Sequence, residues 1–228
     1  MIKVLVWCEN VQNKTQEDVI AAYPEGMHNT IAAFLSADPY ITASTATLDD
    51  PDCGITDEKL GDTDVVLWWG HVAHDKVPDE VVERLYHHVV HKGLGLICLH
   101  SAHYAKIFKR LMGTSCGLAI APPGHGAEKL WTLLPGHPIA AGIPNPVEIE
   151  IEEMYNEFFD IPQPDELVFN AAFEGCGSFR AGAAYHRGRG KVFYFQPGHE
   201  TYPVYRQKEI QDIILNAVYW ANNKTRGQ

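Results

Sequence analysis

Three short runs in the first half of the chain, Val4-Leu5-Val6-Trp7, Val65-Val66-Leu67-Trp68-Trp69 and Leu94 to Leu99, carry almost nothing but apolar residues. A strand that shows one face to water alternates apolar with polar residues. A strand apolar throughout has both faces covered, as in a parallel sheet flanked by helices. The strands read as Ile2 to Trp7, Ile41 to Thr47, Asp64 to Trp69 and Leu94 to Leu99, and helical patterns separate them. Thr15 with Asp18 resembles a capping box opening a short helix that Pro24 ends, and Asn29 is placed to cap Thr30 to Ser36. Pro78-Asp79 opens a helix with Val81, Val82, Leu85, Val89 and Val90 on one face, closed by Gly93. Another helix runs through Phe108 and Leu111. The alternation predicts an α/β fold with a mostly parallel sheet and helices on both faces.

From about residue 113 to 164 prolines and glycines break the chain into short segments, with strands expected at Glu128–Leu134 and Val147–Ile151. That is too long for a simple loop, so it is expected to be an excursion over one end of the sheet within a single domain spanning 1–228. Strand patterns return at Glu166–Phe173, Gly182–Tyr185 and Lys191–Phe195. Ile210, Ile213, Ile214, Ala217, Val218 and Ala221 give a final helix the spacing to pack on the sheet.

Several function classes fall away. Lys and Arg number 18 against 29 Asp and Glu, a net charge of −11, which argues against a nucleic-acid partner. No apolar run approaches the roughly 18 residues of a membrane span. Val4–Trp7 is too short for the core of a signal peptide, and five cysteines without a CxxC pair suit reduced thiols, so a cytoplasmic location is expected. No phosphate loop or GxGxxG lies between a strand and a helix, and Gly93-Leu94-Gly95 precedes a strand, so no nucleotide cofactor is expected. A GxSxG elbow is absent too.

The outlier is histidine, with 12 residues. Ligands of open parallel sheets bind beyond the carboxyl ends of the strands. His71 and His74 follow the strand ending at Trp69, His100 and His103 follow Leu99, and His199 follows Phe195, while His28 leads back from the first strand. Six histidines are thereby assigned to one rim, as a metal or acid–base site. The alternative for each is a loop residue satisfied by water or backbone, and no HExxH motif decides between them. His87, His88 and His91 near a helix C-terminus suit its dipole instead. In Glu152-Glu153-Met154-Tyr155-Asn156-Glu157, an extended chain would put Glu153, Tyr155 and Glu157 on one face, as ligands or acids or as a solvated acidic run. Trp68 and Trp69 read as core or as a sugar platform. Arg180 and Arg187 read as solvated or as anion contacts. Tyr202 and Tyr205 are expected to be exposed, at a lid or a dimer contact.

Two segments combine into a resemblance. Gly93 through Ala102 has the form of a strand entering a tight turn and helix, and Lys191 through Glu200 that of a strand ending in His-Glu. Together they resemble the class I glutamine amidotransferase architecture, a flavodoxin-like sheet with a nucleophile elbow. Within it the chain is similar to the trehalose-utilisation (ThuA-like) family. The segments that carry this are Glu25-Gly26-Met27-His28, Trp68-Trp69-Gly70-His71, Leu99-His100-Ser101-Ala102, Glu152-Glu153-Met154-Tyr155 and Gly188-Arg189-Gly190-Lys191 through Gly198-His199. The elbow position where amidotransferases carry cysteine falls on His100, and imidazole cannot form a glutamyl thioester, so glutaminase activity is not expected. A residual amidohydrolase would have to use Cys98 or Cys176.

What the resemblance implies is carbohydrate catabolism with a small-molecule sugar substrate, a 3-keto disaccharide among the candidates. A 3-keto group acidifies the C2 proton and opens an eliminative cleavage. A divalent metal, zinc first and manganese next, is expected on His28, His71 and His199, with His100, Glu153 and Tyr155 around the reacting atoms. A non-catalytic sugar-binding or regulatory protein is the rival reading, and a homo-oligomer stays open.

Overall fold

The computed structural model describes residues 1–223. Nine strands form one sheet: β1 (Ile2–Cys8), β2 (Ile41–Thr47), β3 (Val65–Trp69), β4 (Gly95–Leu99), β5 (Ala119–Thr132), β6 (Val147–Asn156), β7 (Glu166–Phe173), β8 (Ser178–Arg187) and β9 (Gly190–Phe195). Their order is β2-β1-β3-β4-β9-β8-β7-β5-β6. Every residue of β3 and β4 is buried, as their unbroken apolar runs require.

The helices are α1 (Glu17–Ala22), α2 (Met27–Ser36), α3 (Asp57–Gly61), α4 (Asp79–His87), α5 (Lys106–Met112) and α6 (Lys208–Ala221). α2 packs on β1 and β2, and α6 on β4 and β9. The Tyr219 hydroxyl of α6 donates to Asp38 just beyond α2, which places both helices on one face. α4 packs on α5. Gly95 lets α6 approach β4, because a Cβ there would fall 2.6 Å from the Ala221 carbonyl oxygen.

Several expectations need correction. The sheet is mixed rather than mostly parallel: β2, β1, β3, β4 and β9 pair in parallel, whereas β9-β8, β8-β7, β7-β5 and β5-β6 are all antiparallel. The short connections from β7 to β8 and from β8 to β9 allow only antiparallel neighbours, a cue that outweighs the early βα alternation. Thr15 does not cap α1, which starts after Gln16, and Asn29 lies inside α2 with its amide donating to the Glu25 carbonyl. Tyr205 is fully buried, not exposed. Trp68 stacks on Trp7 at 3.8 Å between ring centres, so it belongs to the core.

The segment 113–164 adds β5 and β6 to the sheet. In a flat sheet β6 would stand four strands from β9, roughly 19 Å away. Yet the Gly198 amide beyond β9 donates to Glu152 of β6 at 2.6 Å. The antiparallel half therefore curls back on the rim. β5 supplies the bend through two register irregularities, between Ile120 and His125 and between Gly126 and Glu128.

Candidate functional site

β1, β3, β4 and β9 point the same way, so Glu9, His71, His100 and His199 all leave the sheet at one rim. Three successive reversals from β9 to β8, β7 and β5, and a fourth to β6, turn β6 back into the direction of β9. Its carboxyl end, Glu152 to Tyr155, consequently reaches the same rim.

His100 sits at the strand-to-helix turn with φ +51°, a left-handed conformation that a residue with a Cβ adopts only when its surroundings impose it. Its side chain is completely buried. Nδ1 lies 2.8 Å from the Gln196 carbonyl oxygen, and Nε2 lies 3.2 Å from Glu153 Oε2 and 3.3 Å from the Tyr155 hydroxyl. Ser101 joins the next group, its Oγ 3.1 Å from the Tyr155 hydroxyl and 2.6 Å from His71 Nδ1. His71 Nε2 faces Glu200 Oε1 at 3.7 Å, and Gln12 donates to that same oxygen at 2.7 Å. His199 stands 5.4 Å from His100 between ring centres, with Nδ1 2.8 Å from Thr201 Oγ1.

The charges follow from these contacts. Burial pushes the Glu153 carboxyl up, but the His100 imidazole beside it outweighs that and holds it at about 2. His100 moves the other way: burial opposes its protonation, and Glu153 with Glu152 more than restores it, so its pKa rises. His199 is driven down to about 4, by burial first and by His100 second. Burial raises the Glu152 carboxyl, which accepts hydrogen bonds from the Glu153, Gly198 and His199 amides. Gly198 is required at its position: φ is +137°, and a Cβ would fall 1.9 Å from the Tyr205 hydroxyl.

Five of the residues singled out in the sequence thus converge: His71, His100, Glu153, Tyr155 and His199. His28 does not join them. It is buried against Gly26, and Asp50 is the charge that acts on it. Glu157 turns away from Glu153 and Tyr155 to form a two-oxygen pair with Arg180. His103 is buried, its Nδ1 on the Cys116 carbonyl, and His74 packs beside Gly70. Cys98 lies within β4, fully buried, with its thiol pushed up by burial.

Sequence reasoning missed Glu9, Gln12 and His125, and it quoted Glu152 and Ser101 without giving either a role. Glu9 follows β1, so the rim rule applied to the first strand would have found it; its carboxylate accepts from the Val72 and Ala73 amides. His125, 5.1 Å from the His199 ring, lies on β5, where no rule for parallel strands reaches.

Fold and site together define an α/β protein with a histidine–carboxylate cluster at the carboxyl rim of a mixed sheet. The ThuA family model, described as trehalose utilisation, matches residues 3–221, and the chain belongs to that family. Its fold is shared with a ThuA-like protein of Bacteroides uniformis, at 14% identity and a TM-score of 0.71, covering 99% of this chain and 93% of that one. A ThuA-like protein of Parabacteroides merdae gives 17% identity and 0.71 over 100% and 92%. A GMP synthase protein from Thermoplasma acidophilum gives 14% and 0.60 over 96% and 93%. At these identities the likeness concerns the fold alone. No curated protein matches the sequence.

Proposed function

We propose that the protein is a cytoplasmic enzyme of carbohydrate catabolism that cleaves or isomerises a keto-disaccharide or a related sugar. The observation that carries this reading is the meeting of His100, Glu153, Tyr155, His71 and His199 at one rim, in a chain of the trehalose-utilisation family. Two features favour a flavodoxin-like, amidotransferase-derived scaffold that has lost glutaminase chemistry. The parallel strands run in the order β2-β1-β3-β4-β9, and a left-handed His100 occupies the elbow.

A 3-keto sugar offers an electrophilic carbonyl, an acidic C2 hydrogen and a glycosidic oxygen as leaving group. His100 and Glu153 surround the carbonyl. A divalent cation bound at this rim would supply further polarisation of that oxygen. His71, half-buried and held through Nδ1 on Ser101, is placed as the base for the C2 proton. Tyr155, whose hydroxyl is shared by Ser101 and His100, is placed to protonate the departing oxygen. Burial raises the Tyr155 pKa, which keeps the phenol protonated and able to donate.

The test is turnover of 3-keto-trehalose by protein replenished with divalent metal. Cleavage or isomerisation is expected, and Tyr155→Phe should lower the rate by about 10²–10⁴. Absence of turnover overturns the enzyme reading. Thermal stabilisation by the sugar in the absence of turnover would establish a sugar-binding protein in its place.

A further inference from the structure

Among the described residues one set of three His, Cys, Asp or Glu side chains brings its ligand atoms within 4.8 Å of one another: His100, Glu153 and His199. We infer that these three side chains form a binding site for one divalent transition-metal ion. The ion's role as an electrophile rests on the function proposed above, but its binding is testable on its own.

The first argument is a mismatch of lone pairs. The Gln196 carbonyl can only accept, so His100 Nδ1 carries a proton, and Nε2 facing Glu153 Oε2 calls for a cation between the two atoms, either a second proton or a metal ion. Two acceptors 3.2 Å apart repel unless a cation lies between or beside them. In the ion-free protein a proton on Nε2 fills this place, although the contact falls short of good hydrogen-bond geometry at Glu153 Oε2. A metal ion bound by both atoms satisfies both.

The second argument is orientation from behind. A ligating histidine is usually fixed through its other nitrogen. Gln196 does this for His100, and Thr201 holds Nδ1 of His199 through its amide at 3.3 Å and its hydroxyl at 2.8 Å, so an ion bound at Nε2 would displace the proton that the neutral ring carries there. Glu152 holds the backbone amides of both Glu153 and His199, so one buried carboxylate positions two of the three donors.

The third argument is donor chemistry. Two imidazoles and one carboxylate, with no thiolate, suit zinc, manganese or iron(II) and disfavour copper(I). Zinc bonds of roughly 2.1 Å place ligand atoms roughly 3.4 Å apart; His100 Nε2 and Glu153 Oε2, 3.2 Å apart, already stand at that spacing, and His199 has at most about 1.4 Å to close. This set differs from the one expected from sequence: His199 is common to both, His28 lies elsewhere, and His71 flanks His199 at 6.1 Å between ring centres.

The experiment uses full-length protein without a histidine tag, stripped with chelator and titrated calorimetrically with zinc and manganese. Cobalt(II) serves as a spectroscopic probe. One ion per chain is expected, with visible cobalt bands that report imidazole and carboxylate ligation. Glu153→Gln, close in shape to the parent, and His199→Ala should each weaken binding by at least about a hundredfold and abolish the bands. His28→Ala should bind like the parent. Near-ultraviolet circular dichroism of each variant separates lost ligation from lost folding. Absence of binding, binding that survives both substitutions, or an equal loss in His28→Ala would overturn the site. Metal binding without turnover of keto sugars leaves this site standing and removes the proposed reaction. Turnover by metal-free protein leaves the reaction standing and removes the ion's role in it, while the titration alone decides the site.

Discussion

The two halves of the sheet divide the work of the site. The parallel half, β2-β1-β3-β4-β9, supplies the imidazoles His71, His100 and His199 from successive carboxyl ends. The antiparallel half, β8-β7-β5-β6, supplies Glu152, Glu153 and Tyr155, and it does so by curling back over the rim. Each half taken singly is incomplete: His100 lacks the Glu153 carboxylate in one, and Glu152 and Glu153 lack the Gly198 and His199 amides and the His100 imidazole in the other. Burying either set unpaired is costly, so their meeting is where fold stability and candidate chemistry become the same problem.

The sharpest way to break this division is to cut the bond between the halves. Glu152→Ala removes the carboxylate that holds the Gly198 and His199 amides and should destabilise the protein by about 4 kcal/mol, read from urea unfolding. Glu152→Gln keeps an acceptor and should cost about half as much. Equal, small losses in both variants would mean that the halves cohere without this contact.

A second comparison tests how tightly each half is packed. Gly95→Ala in the parallel half drives a Cβ into the Ala221 carbonyl of α6, whereas Gly182→Ala in the antiparallel half meets the Phe169 side chain at 2.6 Å. A helix backbone yields less than a phenyl ring. Gly95→Ala should therefore cost about 3 kcal/mol and Gly182→Ala about 2 kcal/mol. The reverse order would locate the more rigid packing in the curled half.

The smallest effect concerns pH. Burial lowers His103 to about 3 and His74 to about 4, so both are neutral in the folded protein and charge more readily when it unfolds. The unfolded chain then binds more protons between the ordinary histidine pKa of 6.5 and those folded values. The stabilisation is complete above pH 6.5 and is lost as pH falls through that window. Between pH 7 and 5 the loss should be about 1 kcal/mol per histidine after solvent screening, and His103→Gln should remove its share of the slope.

Legibility in the sequence follows the same division. β3 and β4 can be read because a strand buried on both faces has no alternative pattern, and the rim rule then leads to His71, His100 and His199. α6 is legible from its apolar spacing. Thr15 and Asn29 mislead as caps because short polar side chains find partners by position rather than by type. Glu153 and Tyr155 are visible as candidates, yet three glutamates in six residues look the same whether they are solvated or buried. Nothing local marks Glu152 as the one that turns inward, or His28 as the one that turns away.

By itself, then, the sequence determined an α/β sheet and a rim rich in histidine. These depend on local periodicity and on the direction of the strands, which short stretches of chain encode. Only the tertiary structure decided that half the sheet is antiparallel, that it curls, and that Glu153 rather than a third histidine stands against His100. The pairing of β6's end with the loop after β9 joins residues more than forty positions apart. Its energy comes from buried hydrogen bonds that the Gly198 and His199 amides donate to the Glu152 carboxylate, a term that no window along the chain contains.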